Sequence, residues 1–484
     1  MERRLKMSES TEKSRGQKLI EKLEYKSANA WEKIPDREKV FQFCEGYKDF
    51  LNKAKTEREY VKESVLLAEK AGFVNLDKII ADELELTPGD KVYRVIKNKA
   101  IVFAVIGKKP LEKGTRMLGA HIDSPRLDLK QTPVFENTDM VFLKTHYYGG
   151  IKKYQWVTIP LSLHGVIIRK DGTILEINIG ESEDDPVFTI TDLLPHLAKE
   201  QFEKKLGEAF TGEGLNALAG SIPYDDKDVK EKVKLNILNI LHDKYDITEE
   251  DLLSAELELV PAFKAKDIGF DRGMIGSYGQ DDRVCAYTAM MAIFDVDDPE
   301  YTSVCVLTDK EEIGSVGNTG AESRFLEDFL ADLCYLTTKD YSDIVLRRCL
   351  NNSAMLSADV NAGFDPNYEG THDKLNAAYM GKGIAVLKYA GARGKAGASD
   401  AHAEMFAKIR KLFNENDVPW HSTELGAVDK GGGGTISRYI ANLGIDVLDC
   451  GAPVLSMHSP FEVTSKIDVY ASYKGYKVFL KKYE

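Results

Sequence analysis

The spacing of hydrophobic positions changes along the chain and predicts different elements in different regions. From about residue 17 to 72 the pattern is helical, and in TEREYVKESVLLAEKAGF the apolar residues between Tyr60 and Ala68 recur near the helical period before Gly72 ends the run. The runs KVYRVIK, AIVFAVIG and TRMLGAHID predict strands, and the continuous apolar character of the second is typical of a central strand. Residues 1 to about 15 are polar and predict a frayed terminus.

Residues 128–254 show a different pattern of hydrophobic and turn residues. The runs VFLKTHYY, YQWVTIPLSLHGVIIRK and TILEINI predict antiparallel or barrel strands, with turns at YGG (148–150) and KDG (170–172). A charged helical run, DDKDVKEKVKLNILNILHDKYDIT, follows them. We therefore predict an inserted β-rich domain at 128–254, between a first part at 1–127 and a second part at 255–484.

From residue 255 onward, strand and helix patterns alternate. Strands are predicted for ELELVPAFKA, YTSVCVLTD, AMLSADV and VLDCGAPV, and helices for VCAYTAMMAIF, ESRFLEDFLADLCYL, DAHAEMFAKIRKLFNEN and DVYASYKGYKVFLKKY. Strands that alternate with helices predict an α/β fold with a mostly parallel central sheet flanked by helices.

Composition narrows the class of protein. The chain has 484 residues, which suggests two to four domains, and its formal net charge of −13 argues against a nucleic-acid partner. Its six cysteines are scattered and form no CxxC pair, which is typical of reduced thiols. The sequence shows neither a signal peptide nor an uncharged run of about 20 residues, so we expect no membrane association and a cytoplasmic protein.

Five short polar clusters follow predicted strands, at the edge where open α/β sheets bind their ligands. They are His121-Ile122-Asp123, Asp281-Asp282, Glu311-Glu312, Ser357-Ala358-Asp359 and Met457-His458. Each cluster alone has an ordinary structural explanation. A His-x-Asp pair is usually incidental, Asp281 equally suits a helix cap, and Asp359 equally suits a turn. Adjacent glutamates usually form a solvated face, and a single late histidine is usually structural.

Taken together, these clusters indicate a metal site. Two imidazoles and three carboxylates are available, namely His121, Asp281, Glu312, Asp359 and His458. One carboxylate shared between two cations gives each cation three protein ligands and leaves a place for water. Mixed nitrogen and oxygen ligands without thiolate suit zinc, and also cobalt or manganese. Of two adjacent glutamates, one is able to bind a metal while the other faces the reacting water, as a metallohydrolase requires.

The series HIDSPR, GQDDR, DKEEIGS, SADV and MHSPFE, in this order, resembles the aspartyl aminopeptidase family of dinuclear metallopeptidases over about residues 40–480. The resemblance implies an α/β catalytic domain, similar to that of other zinc peptidases, interrupted by a β-rich oligomerisation domain. It implies a bridging role for Asp281, a partner of His121 in Asp123 and a general base in Glu311. The other metal ligands that it implies are His121, Glu312, Asp359 and His458. Family members form homo-dodecamers whose active sites face an inner chamber.

The resemblance also implies a function. It is a metallo-aminopeptidase that uses two divalent metal ions to remove the N-terminal residue of short peptides, with a preference for Asp or Glu. This chain departs from relatives of higher organisms at residues 362–365, where Ala-Gly-Phe-Asp replaces their His-Ala-x-His. Two other functions remain open from the residues: another dinuclear hydrolase, such as an N-acyl amino acid deacylase, and a non-catalytic oligomeric scaffold.

Overall fold

The computed structural model describes residues 13–338 and 341–484. Its helices are α1 (Arg15–Leu23), α2 (Ala30–Lys33), α3 (Arg37–Lys53), α4 (Glu57–Lys70), α5 (Leu76–Ala81), α6 (Lys199–Phe202), α7 (Leu206–Ala209), α8 (Lys232–Tyr245), α9 (Gln280–Phe294), α10 (Phe325–Thr337), α11 (Asp343–Asn351), α12 (Ala403–Glu415), α13 (Ser437–Ala441) and α14 (Lys466–Lys482). The predicted frayed terminus lies largely outside the described residues, since α1 begins at Arg15.

The strands follow the same numbering in chain order. They are β1 (Val74–Asn75), β2 (Lys91–Ile96), β3 (Ala100–Val105), β4 (Arg116–His121), β5 (Arg126–Asn137), β6 (Met140–Tyr148), β7 (Leu161–Ile168), β8 (Ile174–Ile179), β9 (Ala217–Gly220), β10 (Ala255–Pro261), β11 (Lys266–Ile268), β12 (Met274–Ser277), β13 (Ser303–Thr308), β14 (Ala354–Ala358), β15 (Asn361–Ala362), β16 (Ile384–Leu387), β17 (Trp420–Thr423), β18 (Asp446–Gly451), β19 (Pro453–Leu455) and β20 (Glu462–Ser465).

A nine-stranded sheet forms the centre of the described chain, in the order β1-β2-β3-β13-β4-β14-β18-β16-β17. The α/β class is confirmed, but the sheet is mixed rather than simply parallel. β13, β4, β14 and β18 run parallel at its centre, whereas β3 is antiparallel to both of its neighbours and β16 is antiparallel to β18. β3 is buried at all six positions, and an apolar run of this kind occurs in strands of either direction.

The predicted helix at TEREYVKESVLLAEKAGF is α4, and local chemistry fixes both of its ends. The Thr56 side chain accepts a hydrogen bond from the backbone of Glu59, whose carboxylate accepts one from the backbone of Thr56. This reciprocal pair is a capping box. Past the last turn, Gly72 adopts a positive φ of 86° that ends the helix at small steric cost.

A six-stranded antiparallel sheet, in the order β8-β7-β10-β5-β6-β9, contains the strands between Arg126 and Pro261. It has a hydrophobic core of its own, which includes Leu127, Trp156 and Leu259. The strand predicted at YQWVTIPLSLHGVIIRK begins later than expected, at Leu161, because Lys153–Trp156 forms a short 3-10 helix.

The central sheet brings three of the polar clusters to one edge. β13 pairs in parallel with β4, so Thr308 lies beside His121, and the Glu311 turn follows Thr308 directly. β14 pairs in parallel with β4 on its other side, so Asp359 leaves the sheet at the same edge.

The smaller sheet β11-β12-β20-β19-β15 brings in the other two clusters. β12 and β20 are antiparallel, with Ser277 opposite Glu462. The run after β12 that contains Asp281 therefore lies beside the run before β20 that contains His458. Among the described residues, no helix is both long enough and apolar enough to cross a membrane.

Candidate metal centre

The structure places together all the side chains that the sequence analysis singles out for this site. They are His121, Asp123, Asp281, Glu311, Glu312, Asp359 and His458. Among the described residues, two groups have possible ligand atoms within 4.8 Å of one another: His121 with Asp281 and Glu312, and His121 with Asp282 and Asp359. The predicted convergence of distant residues is therefore present, and Asp282 joins the cluster as an addition.

Hydrogen bonds orient the imidazole of His121. Its Nδ1 lies 3.1 Å from the Asp123 carbonyl oxygen and 3.3 Å from the Asp123 Oδ1. Because both of these atoms are acceptors, Nδ1 is held as the nitrogen that carries a proton, so Nε2 is the nitrogen available to a metal. That Nε2 lies 3.3 Å from the Asp281 Oδ1, where it is placed to bind a metal.

His458 is oriented in the same way by a different partner. Its Nδ1 donates to the Gly150 carbonyl oxygen over 2.8 Å. Its Nε2 lies 3.2 Å from the Asp281 Oδ2 and 3.5 Å from the Glu312 Oε2. The two oxygens of Asp281 thus face two different imidazoles, which is the arrangement expected of a carboxylate shared between two cations.

Asp123 fixes the turn that carries the two glutamates. Its Oδ1 accepts from the Glu311 backbone over 3.1 Å, and its Oδ2 accepts from the Glu312 backbone over 3.2 Å and from the Tyr148 hydroxyl over 2.8 Å. The Glu312 side chain is 3% exposed and the Glu311 side chain 18%. Glu311 therefore has the better access to a substrate, and its Oε2 lies 3.9 Å from the His121 Nε2.

The electrostatics of the cluster favour the binding of cations. Burial raises the pKa of Glu311 to about 7, although His121 opposes the shift, and it raises the pKa of Glu312 and of Asp359 well above the usual range. The Glu312 Oε1 and the Asp282 Oδ1 are buried and accept no hydrogen bond. Buried carboxylates in this number, with only imidazoles beside them, fit divalent cations, whose charge favours the ionised forms.

Two loops of the site pass through left-handed backbone at residues other than glycine. Lys310, just before the two glutamates, has a φ of 67°, and His458 has a φ of 64°. Such conformations are uncommon and concentrate at functional sites, where the surrounding structure maintains them. Both loops are therefore fixed by their contacts rather than by local preference.

Three residues that support the centre were not assigned a role from the sequence. Tyr148 and Gly150 contact Asp123 and His458, as described above. Glu462 accepts from the His458 backbone at Oε1 over 2.7 Å and from the Asp281 backbone at Oε2 over 3.1 Å. The motifs YGG and MHSPFE contain all three residues, but a motif does not reveal which atom makes the contact.

Comparisons with known proteins agree with this site. A family profile described as aminopeptidase I zinc metalloprotease (M18) matches residues 50–480. The probable M18 family aminopeptidase 1 of Clostridium acetobutylicum is 52% identical over 459 residues, which make up 94% of this chain and 98% of that protein. The crystal structure of the M18 family aminopeptidase of Thermotoga maritima is 46% identical, with a TM-score of 0.91 over 95% of this chain and 100% of that one.

A more distant likeness concerns the fold alone. The S. cerevisiae mApe1 dodecamer is 23% identical, with a TM-score of 0.73 over 91% of this chain and 97% of that one. The profile, by contrast, spans all five polar clusters, and the bacterial relatives match almost from end to end. The chain therefore belongs to the M18 family of aminopeptidase I zinc metalloproteases, and it is a metallo-aminopeptidase.

Proposed function

We propose that this enzyme binds two divalent metal ions and uses Glu311 as its general base. The observation that carries the proposal is the position of Asp281, whose two carboxylate oxygens lie 3.3 Å and 3.2 Å from the Nε2 atoms of His121 and His458. Asp359 would complete the ligands on the His121 side and Glu312 those on the His458 side. Zinc suits this set of nitrogen and oxygen ligands, and cobalt or manganese are alternatives.

Bound divalent metals acidify water and polarise a peptide carbonyl. Glu311 is suited to move the proton, because it adjoins a ligand, is partly exposed, and is held by its backbone to Asp123. Its carboxylate would accept a proton from the attacking water and pass that proton to the leaving amine. Asp123 would keep Glu311 in place and keep His121 in the tautomer that leaves Nε2 free.

The proposed substrates are short peptides with a free N-terminus, and the preference for an N-terminal Asp or Glu follows from the family resemblance. The test uses metal-free protein reconstituted with zinc, cobalt or manganese and assayed on aminoacyl and N-acylated chromogenic substrates. We expect two metal ions per chain and cleavage of the aminoacyl compounds, fastest for Asp and Glu. Preference for the N-acylated compounds would instead identify a deacylase, and folded protein that takes up no metal would identify a scaffold.

We further propose that the insert predicted at 128–254, together with β10, which completes its six-stranded sheet, forms a domain that joins subunits into a homo-dodecamer. Within this range, large apolar side chains are exposed between 46% and 74% in one short segment, namely Leu193, Leu194, Leu197, Phe202 and Leu206. Large apolar side chains exposed so close together along the chain are typical of a protein contact. The yeast mApe1 relative, which shares the fold, was solved as a dodecamer.

The particle mass, measured by light scattering after gel filtration, tests the assembly. The double variant Leu197→Asp, Phe202→Asp places two charges on the exposed segment and should yield smaller particles than the wild type. A cytoplasmic location is also proposed, because all six cysteines are free and buried, as is usual in reducing compartments.

A further inference from the structure

The tripeptide Tyr148-Gly149-Gly150 leaves the end of β6, in the six-stranded sheet, contacts the metal centre at two points and passes close to it at a third. The Tyr148 hydroxyl donates to the Asp123 Oδ2 over 2.8 Å. A Cβ atom on Gly149 would lie 3.2 Å from the Glu312 Oε2. The Gly150 carbonyl accepts from the His458 Nδ1 over 2.8 Å.

We propose that this tripeptide is the positioning element of the metal centre, with Tyr148 acting through Asp123 on the general base and Gly150 acting through His458 on one metal ion. The inference rests on the proposed function, because it assumes that His458 binds a metal and that Glu311 transfers the proton. It assigns to the six-stranded sheet an indirect part in the chemistry, through the positions of Asp123 and His458, in addition to any part in assembly.

The Tyr148 hydroxyl completes the partners of the Asp123 carboxylate. Asp123 holds the backbones of Glu311 and Glu312, so any movement of its carboxylate moves the general base. Tyr148 is itself fixed, since it is only 9% exposed and the Arg126 guanidinium lies 3.8 Å from the centre of its ring. The hydroxyl is therefore held against the Asp123 Oδ2, beside the Glu312 backbone donor.

The Gly150 carbonyl sets the tautomer of His458. A carbonyl only accepts, so it retains the proton on Nδ1 and directs Nε2 toward Asp281 and Glu312. A side chain would be crowded at either glycine of this stretch. A Cβ atom on Gly150 would lie 3.3 Å from the His458 Nδ1, and Gly149 has a positive φ of 75° that favours glycine.

Two variants separate the two contacts. Tyr148→Phe removes one hydroxyl, and its matched control is Tyr147→Phe, which removes the same atom from a neighbouring side chain that is 40% exposed. Gly150→Ala crowds the His458 ring, and its matched control is Gly370→Ala, where an added Cβ would have no neighbour within 4 Å. Each protein is stripped of metal, titrated with Co²⁺ while its visible absorption is recorded, and then assayed on an aminoacyl substrate.

Loss of a group that supports a metal ligand usually costs ~10–100-fold in affinity or activity. We expect Gly150→Ala to weaken one of two Co²⁺ equivalents by at least ~10-fold and to leave the other unchanged. Tyr148→Phe should keep both equivalents and lower kcat by ~10-fold with little change in KM, because the base is displaced rather than the substrate. Both control variants should match the wild type.

Different outcomes overturn different statements. If Tyr148→Phe and Gly150→Ala both match an active wild type that binds two Co²⁺ ions, the tripeptide has no positioning role and the proposed function stands. If the wild type binds fewer than two Co²⁺ ions or cleaves no aminoacyl substrate, the proposed function fails first. If Gly150→Ala does not fold, Tyr148→Phe decides alone, since a normal kcat in that variant overturns the inference.

Discussion

Two clusters of buried carboxylates lie on either side of Tyr148, and they differ in what neutralises them. In the metal centre, the carboxylates around Asp281 have two imidazoles as neighbours. In the second cluster, Arg126 lies 2.8 Å from Asp128 and 3.5 Å from Glu57. We refer to this second cluster as the Arg126 network, and it also contains Lys99, Glu256 and Glu258.

The Arg126 network is neutralised in part by two permanent cations of the chain, Arg126 and Lys99. Lys99 lies 3.1 Å from Glu57, which is 1% exposed. Burial alone would raise the pKa of Glu57, but Arg126 and Lys99 overcome it and lower the pKa to about 2. The network also joins separate elements, since Glu57 begins α4, Arg126 begins β5 and Glu258 lies in β10.

The comparison shows which buried carboxylates are suited to a metal and which to structure. Where lysine and arginine are present, they keep a buried carboxylate such as Glu57 ionised within the protein, and the cluster serves packing. Burial and the neighbouring carboxylates still raise the pKa of Glu258 in that network. Where only imidazoles are present, burial raises the carboxylate pKa values, as at Glu312 and Asp359, and a bound cation is needed to reverse the effect. Separation along the chain does not distinguish the metal centre from the Arg126 network, because Arg126 follows Asp123 by only three residues.

The largest expected effect is that of removing the metal ions, which would act on the metal centre rather than on the Arg126 network. Chelation should abolish activity and lower the thermal unfolding temperature, because ligand binding at a zinc concentration 1,000 times the Kd contributes about 4 kcal/mol to stability. Added zinc should restore both. An unfolding temperature that is the same before and after chelation would show that the carboxylates of the metal centre do not depend on a cation.

Glu57→Gln breaks the Arg126 network instead. It should lower the free energy of unfolding by ~3 kcal/mol, the lower end for a broken buried pair, because Arg126 retains Asp128 and Glu258 as partners. Urea unfolding at neutral pH, with zinc present and absent, measures the loss, and we expect a similar loss in both conditions because Glu57 pairs with Arg126 and Lys99 rather than with a proposed metal ligand.

The lowered pKa of Glu57 predicts that the stability of the fold depends on pH. The pKa of Glu57 is about 2 when folded, below the ordinary value of 4.5, so its stabilising effect is complete above about pH 4.5 and is lost as the pH falls toward 2. The difference in stability between wild type and Glu57→Gln should therefore shrink over that interval. A difference that stays constant down to pH 3 would show that the charge of Glu57 is not what stabilises the fold.

Glu311→Gln changes the metal centre without removing a proposed ligand. Turnover should fall at least ~100-fold, the usual scale for loss of a general base, while the metal content stays at the wild-type level. Steady-state kinetics and metal analysis on the same preparation measure both quantities. Glu322→Gln, at an exposed position further along the same loop, is the matched control and should retain full turnover. Turnover of Glu311→Gln close to that of wild type would remove Glu311 from the role of base.

Much of the fold was predictable because the spacing of hydrophobic residues identifies the segments that form the core. The runs that became β3, β13 and β14 are buried at every position, and α4 carries its own cap in Thr56 and Glu59. Strand direction was not predictable, since an apolar run such as β3 suits either direction and only tertiary pairing decides. Short elements such as α13 also escaped prediction, because five residues hold too little periodicity.

The candidate site likewise has residues that the sequence identified and residues that it did not. Side chains at strand ends, such as His121 and Asp359, were identified because ligand chemistry is visible in residue type. The groups that orient them were not, because the Gly150 contact is a backbone carbonyl and the Tyr148 contact comes from another sheet. Asp282 was ambiguous for a different reason, since adjacent aspartates give no indication of which one points toward the cluster.

The smallest expected effect belongs to a carboxylate that is neither buried nor near a metal. Glu176 pairs with Lys62 at 2.6 Å on the surface, and the two side chains are 65% and 57% exposed. Glu176→Gln should change the free energy of unfolding by at most ~0.5 kcal/mol, because water and salt screen an exposed pair. Urea unfolding at low and high salt measures this change beside that of Glu57→Gln. If the two losses were equal, burial would not be what distinguishes these carboxylates, and the contrast between the Arg126 network and the surface would fail.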